Sequence, residues 1–189
     1  MAFYDFDEHL VFNNKSKNIK SYLSMEIFNK CDVVKIHWLM FYDNDLFHYD
    51  NRPLKERFTK PDYHSDENIY HKSIVRAKNY SGILWYSPNG PHQPTEALVN
   101  MCDAGNLTNV RHGIMGSPNY KYGHINHYTM KTIEEFIQRK ILNGNLRGMK
   151  FNYAQRLKKF FKYNKYTSEK AKVVLLNITP EELKGIINK

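Results

Sequence analysis

Asp5, Asp7 and Glu8 stand together in AFYDFDEHLVF, between two apolar runs. Carboxylates at i and i+2, where a chain turns at the end of a strand, can converge on one hard cation. Mg2+ and Mn2+ take oxygen ligands and keep coordination positions open for phosphate oxygens. Acids in this pattern more often solvate a turn, but apolar flanks on both sides place these at the end of a buried strand. A second set is His124-x-x-His127. Its spacing suits zinc, yet no Cys and no third His is positioned to complete a tetrahedral set. That leaves a structural histidine, or one that joins the aspartates on their cation. A third set is the loop Asp43-Asn44-Asp45 with Asp50 and Glu56. A carboxylate there either takes a proton from a water or a sugar hydroxyl, or solvates the loop. Lys72, Arg76 and His92, which follows Pro91, are suited to phosphate and sugar hydroxyls.

The elements that must position these groups are read from periodicity. Residues 2–6 and 9–12 predict a strand entering and leaving an acidic turn. Ile19, Tyr22, Leu23 and Ile27 recur at helical intervals, which predicts an amphipathic helix over 16–30. DVVKIHWLMFY, residues 32–42, is β-branched and aromatic and predicts a central strand. Residues 43–53 read as a loop closed by Pro53. KSIVRA (72–77) and GILWYS (82–87) predict strands, and SPNGPHQP (87–94) predicts turns. Residues 115–129 predict a long polar and aromatic loop, of the length that carries function. Thr132-Ile133-Glu134-Glu135 marks the first turn of a helix over 129–142. Residues 146–164 predict a second, basic amphipathic helix. Thr179, Pro180 and two glutamates start a last helix over 179–189. This order predicts an α/β fold with its mixed sheet mostly in residues 1–110 and helices toward the C-terminus.

At 189 residues the chain builds one core or slightly more. Its 14 tyrosines pair a packing ring with a polar tip, so they line polar grooves as well as cores. No apolar run is long enough for a membrane span, and the first residues lack the pattern of a signal peptide. Two cysteines, Cys31 and Cys102, are too few for a disulfide framework or a structural zinc site. A reducing compartment and a cytoplasmic location are then the default. The net charge of +9 belongs entirely to residues 131–189, which hold 14 Lys and Arg against 5 Asp and Glu. Such a segment is a solvated helix face, or it meets a polyanion or an anionic membrane surface.

Several of these stretches together resemble one family. AFYDFDEHLVF looks like the D-x-D-E strand of GT-A glycosyltransferases of the family-2-like and family-92-like kind. DVVKIHWLMFYDND resembles that group's IKINW…FGDNG segment, and RPLKERFTKP its RPV.ERFT.P segment. HKSIVR, NGPHQPT and HINHYTMKTIEEFIQRKILNG follow in the family's order. The resemblance covers roughly residues 2–165. It implies a GT-A, Rossmann-like fold in which the D-x-D acids hold Mn2+ or Mg2+ against the diphosphate of a nucleotide sugar. It makes Asp7 the leading metal ligand, with Asp5 at the ribose or the metal's waters, and His127 of NHYT the distant ligand. Asp5, Lys72 and Arg76 are the expected contacts to the nucleotide sugar. Asp43, at the acid of GDNG, and Glu56, the acid of ERF, are alternative bases for the acceptor hydroxyl.

The chain also departs from that pattern. Tyr42 and Asp45 stand where the family has glycines, which alters a loop that closely approaches donor or acceptor. GT-A enzymes place about a hundred residues before this strand, including half the walls of the nucleotide site. Four residues precede Asp5 here. Residues 1–145 are thus expected to form a partial GT-A core, and 146–189 a basic helical extension. The expected activity is metal-dependent transfer of a sugar from a nucleotide-sugar donor to a glycan, lipid or protein acceptor. One alternative is a half-enzyme or inactive remnant that needs a separate N-terminal half. Another is a basic module binding polyanions through residues 131–172, with contact to anionic lipid through 146–172 ranked above nucleic acid.

Overall fold

The computed structural model describes residues 2, 4–13, 16, 18–77, 100–104, 106–108, 117–142 and 153–165. The strand expected at 82–87, the turns with His92 and the helix expected at 179–189 lie outside them. The chain forms two compact units, Met1–Met40 with Tyr63–His127 and Phe41–Asp62 with Tyr128–Lys189. Each is assembled from segments distant in sequence.

The first unit is a mixed sheet around β2 (Val33–Phe41), buried along nearly its whole length as its β-branched, aromatic composition predicts. Strands β1 (Glu8–Phe12), β7 (Gly123–His127), β2, β5 (Met101–Asp103) and β6 (Asn106–Thr108) follow in that order, and β4 (His71–Val75) pairs β2. β7 runs antiparallel to β1 and parallel to β2, while β4 is antiparallel to β2. The α/β class with a mixed sheet is therefore as expected.

β7 occupies part of the stretch expected to be a loop. Gly-His-Ile-Asn-His has a single aliphatic side chain, so its strand character is invisible to a periodicity argument. Pairing decides it: Ile125 stands opposite Leu10 on one neighbour and Trp38 on the other, and is fully buried. Gly123 is required where β7 begins, because a Cβ there would lie 2.8 Å from the Val11 carbonyl oxygen.

Beneath the sheet lie Tyr22, Phe28, Val34, Ile36, Ile74 and Ile125. The helix expected over 16–30 is shorter: α1 (Ile19–Leu23), then a 3-10 turn over Glu26–Phe28. An Asn18–Ser21 capping box starts α1, and the Ser24 hydroxyl donates to the Lys20 carbonyl at its end. That local side-chain bond competes with continuing the helix. Cys31, just past the 3-10 turn, is disulfide-bonded to Cys102 in β5 with 5.7 Å between Cα atoms.

The second unit contains the two-residue strand β3 (Pro61–Asp62) and helices α2 (Leu54–Arg57), α3 (Ile133–Phe136) and α4 (Tyr153–Tyr163). Thr132 caps α3, its hydroxyl accepting from the Glu135 N–H, while the Glu135 carboxylate receives the Thr132 N–H. The helix expected from residue 129 thus starts later, at Ile133 with Thr132 outside it as the cap, and continues as a π-helical turn over Ile137–Leu142. Met130, Ile133, Phe136, Ile137 and Phe160 form the core. Phe160 comes from α4, so this helix contributes to the unit's interior. Its lysines 158, 159 and 162 remain exposed. No helix among the described residues is long and apolar enough to cross a membrane.

Candidate functional site

The acidic stretch forms a closed turn. The Glu8 N–H donates to the Asp5 carbonyl at 3.0 Å, and the Asp5 N–H returns a bond to Glu8 Oε2 at 3.0 Å. Phe6 projects fully into solvent at the tip, while Asp7 is buried. Asp5 is mostly exposed, and the Glu8 side chain is wholly enclosed.

Two other strands bring partners to this turn. From β4, the buried Lys72 Nζ reaches Asp5 Oδ2 and Glu8 Oε2, each at 3.2 Å. From β7, His127 stands opposite Glu8 in the strand register. Its Nε2 lies 4.0 Å from Glu8 Oε1, and its ring packs 4.1 Å from that of Trp38. Residues 8, 72 and 127 therefore meet although more than fifty residues separate each from the next. Glu8 Oε1 is buried without a hydrogen-bond partner among the described residues. Burial pushes the Glu8 carboxyl up to about 7, against the opposing pull of the Asp5 N–H and the Lys72 ammonium.

The donor set of two aspartates and an imidazole suits a hard or borderline divalent ion. The Glu8 oxygen without a hydrogen-bond partner is the one that faces His127. Among the described residues, no three His, Cys, Asp or Glu side chains are already gathered around one point. His124 is set apart from this corner: its ring packs against Tyr120, and burial lowers its pKa. Arg76, the other expected donor contact, directs its guanidinium to backbone. Its Nε donates to the Cys31 carbonyl at 2.7 Å and its Nη2 to Phe28 at 3.0 Å, closing the end of the 3-10 turn.

The same sheet carries a polar group that sequence reasoning passed over. The register aligns Lys35 with Ser73 and Asp103, and His37 with His71, on one face. His37 Nε2 lies 3.4 Å from Asp103 Oδ1. Burial lowers the Lys35 ammonium to about 8, with Asp103 opposing. The signal was available in V-V-K-I-H-W, where Lys35 and His37 alternate with Ile36 and Trp38.

The proposed bases lie in the second unit and are unlike each other. Glu56 is exposed on α2. Asp43 is buried, its N–H donating to Asn164 Oδ1 at 2.9 Å and its Oδ1 accepting from the Asp45 N–H at 3.1 Å. Asn44 and Asp45 take left-handed conformations, with φ of 52° and 65°. Asp and Asn tolerate that region better than other side chains. Asp45 thus makes a turn that a glycine would also make. Asn44 Nδ2 anchors the loop by donating to the Arg57 carbonyl at 3.2 Å.

Arg57 has a structural task. Its guanidinium forms a forked pair with Glu135, at 2.7 and 3.1 Å, and its Nε donates to the Arg52 carbonyl. Burial would raise the Glu135 carboxyl, but the bonds from Arg57 and Thr132 outweigh it and hold the pKa below the usual value. The ERF and TIEEF stretches are therefore locked together.

Comparison with known proteins finds no family model, no curated protein and no solved structure that matches the chain.

Proposed function

We propose that the chain is a metal-dependent glycosyltransferase of the GT-A type, moving a sugar from a nucleotide-sugar donor to a hydroxyl of a glycan, lipid or protein acceptor. The observation that supports it most is the meeting of Asp5, Glu8, Lys72 and His127 in one corner of the first unit. Asp5 lies in the turn before β1, and Glu8, Lys72 and His127 come from β1, β4 and β7.

In this reading Asp7, Asp5 and His127 hold Mn2+ or Mg2+. Bound there, the ion supplies positive charge that offsets the departing nucleoside diphosphate. Lys72 neutralises the Asp5–Glu8 pair and orients Asp5 at the turn. Asp43, buried and fixed by hydrogen bonds, is the stronger candidate base. In a transfer with inversion it takes the proton of the attacking acceptor hydroxyl. Glu56, exposed on α2, has no comparable surroundings.

Titration calorimetry with UDP and GDP, each with and without Mn2+, tests the donor end. Heat that requires Mn2+ in the wild type and is lost in Asp7→Ala is expected. A folded wild type giving no Mn2+-dependent heat with either nucleotide overturns the reading.

A further inference from the structure

The carboxyl end of α4 meets the Asp43 loop at a cavity of about 260 Å³, lined among others by Tyr42, Asp43, Asp45, Asp62, Asn164 and Lys165. We propose that this cavity is a pocket for a single sugar ring, that the end of α4 is one of its walls, and that Asn164 is the positioning residue for Asp43. Naming a sugar as occupant rests on the proposed transfer reaction. The pocket and the role of Asn164 rest on geometry alone.

At about 260 Å³ the cavity lies just below the usual range of ligand pockets, which leaves room for a group no larger than one sugar ring. Its lining mixes carboxylates, amides, ammonium groups and a tyrosine ring. That set supplies both donors and acceptors to hydroxyl groups, with an aromatic face for the apolar side of a ring.

Asn164 is buried, and its amide is committed at both ends. Oδ1 accepts from the Asp43 N–H at 2.9 Å, and Nδ2 donates to the Phe160 carbonyl at 3.2 Å. The last turn of α4 therefore fixes the backbone from which the Asp43 carboxylate projects. Lys165 follows in a left-handed conformation, φ 54°, and its ammonium pairs with Asp62 Oδ2. This pair ties β3 to the same helix end. Tyr163, one residue earlier, stacks on Tyr42 with 21° between ring planes. Three successive residues at the end of α4 thus each contact a different part of the pocket wall.

Saturation-transfer NMR with D-glucose, D-galactose, D-mannose and N-acetyl-D-glucosamine, without nucleotide, tests the pocket. The wild type is expected to transfer saturation to at least one sugar. Asn164→Ala and Lys165→Ala are each expected to weaken that binding up to about tenfold, the loss of one well-placed hydrogen bond or charge. Exchange protection of the Asp43 amide should be lost in Asn164→Ala and kept in Lys165→Ala. Lys165 is mostly exposed, so its variant folds and decides the matter even where Asn164→Ala does not. No transfer to any of the four sugars in folded wild type overturns the proposal, as does wild-type binding in the variants. Sugar binding that depends on these residues, alongside no Mn2+-dependent nucleotide binding, sinks the transferase reading and leaves the pocket standing.

Discussion

The two units solve the same problem, joining segments far apart in sequence, by different means. The first uses backbone pairing around β2 and a covalent bond between residues 71 apart. The second uses short helices, one small apolar cluster and the forked Arg57–Glu135 pair. The chemistry follows the architecture. Glu8, Lys72 and His127 project from hydrogen-bonded strands, which suits a site whose ligands must hold fixed distances. Asp43 projects from a loop with two left-handed residues, held by one amide of a distant helix. A strand-borne site resists rearrangement, whereas a loop-borne one can be tuned or lost through a single contact.

Substitution at the two candidate sites should separate them most sharply. In a transfer assay Asp43→Asn is expected to lower kcat by about 10³ through loss of the general base, while leaving Mn2+-dependent UDP binding intact. Asp7→Ala should do the reverse in calorimetry and abolish the nucleotide heat. Equal loss of both readouts in both variants would erase the distinction.

Reduction of Cys31–Cys102 comes next. The bridge closes a loop whose ends are 71 residues apart. Its loss releases about 4 kcal/mol of chain entropy into the unfolded state. Thermal melting with and without dithiothreitol should show a drop of roughly 10 °C, and exchange should rise in the sheet before it rises in α3. Arg57→Ala is the mirror experiment. Leaving Glu135 unpaired should cost about 3 kcal/mol, read by urea unfolding, with loss of exchange protection confined first to residues 130–137.

Glu8 sharpens the comparison through pH. Its folded pKa, about 7, lies above the ordinary carboxyl value, so the folded state binds the proton more tightly than the unfolded state does. The stability from this group is fully present below pH 4.5 and is lost as pH rises through 7. Glu8→Gln removes that dependence, so melting curves across pH 4.5–7 should be flatter than in the wild type. The smallest effect is expected at Asp45→Gly. Relief of the left-handed side chain offsets the entropy that glycine adds, so stability should change by less than about 1 kcal/mol.

The sequence made β2 and the start of α3 legible, because each has a strong local signal. Val33 to Phe41 is a continuous β-branched and aromatic run, and Thr132 with Glu135 is a capping box. β7 was not legible. Its strand state comes from neighbours more than eighty residues away, as at Trp38, and its own residues apart from Ile125 are polar or small. The site divides in the same way. The D-x-D-E turn and His127 were recognised by residue type, and the structure brings Glu8 and His127 face to face. The Lys72 pairing, the Cys31–Cys102 bond and the hold of Asn164 on Asp43 each depend on tertiary placement. Arg76 shows the converse, since a cation suited by type to phosphate closes a helical turn instead.

The nesting of the two units in the chain sets an order of events during synthesis. The second unit begins at Phe41 but needs Phe160 from α4 to complete its core. All strands of the first unit, ending with β7 at His127, precede that residue. At about 5–20 residues per second, the ribosome takes several seconds to pass from the Asp43 loop to Asn164. Once His127 has been added, the last part of that interval leaves the first unit with all its described strands while the Asp43 loop still lacks its helix. A chain ended near residue 130 and released from the ribosome should therefore resist protease within β1, β2 and β7 and be cut readily in the stretch from Tyr42 to Lys60.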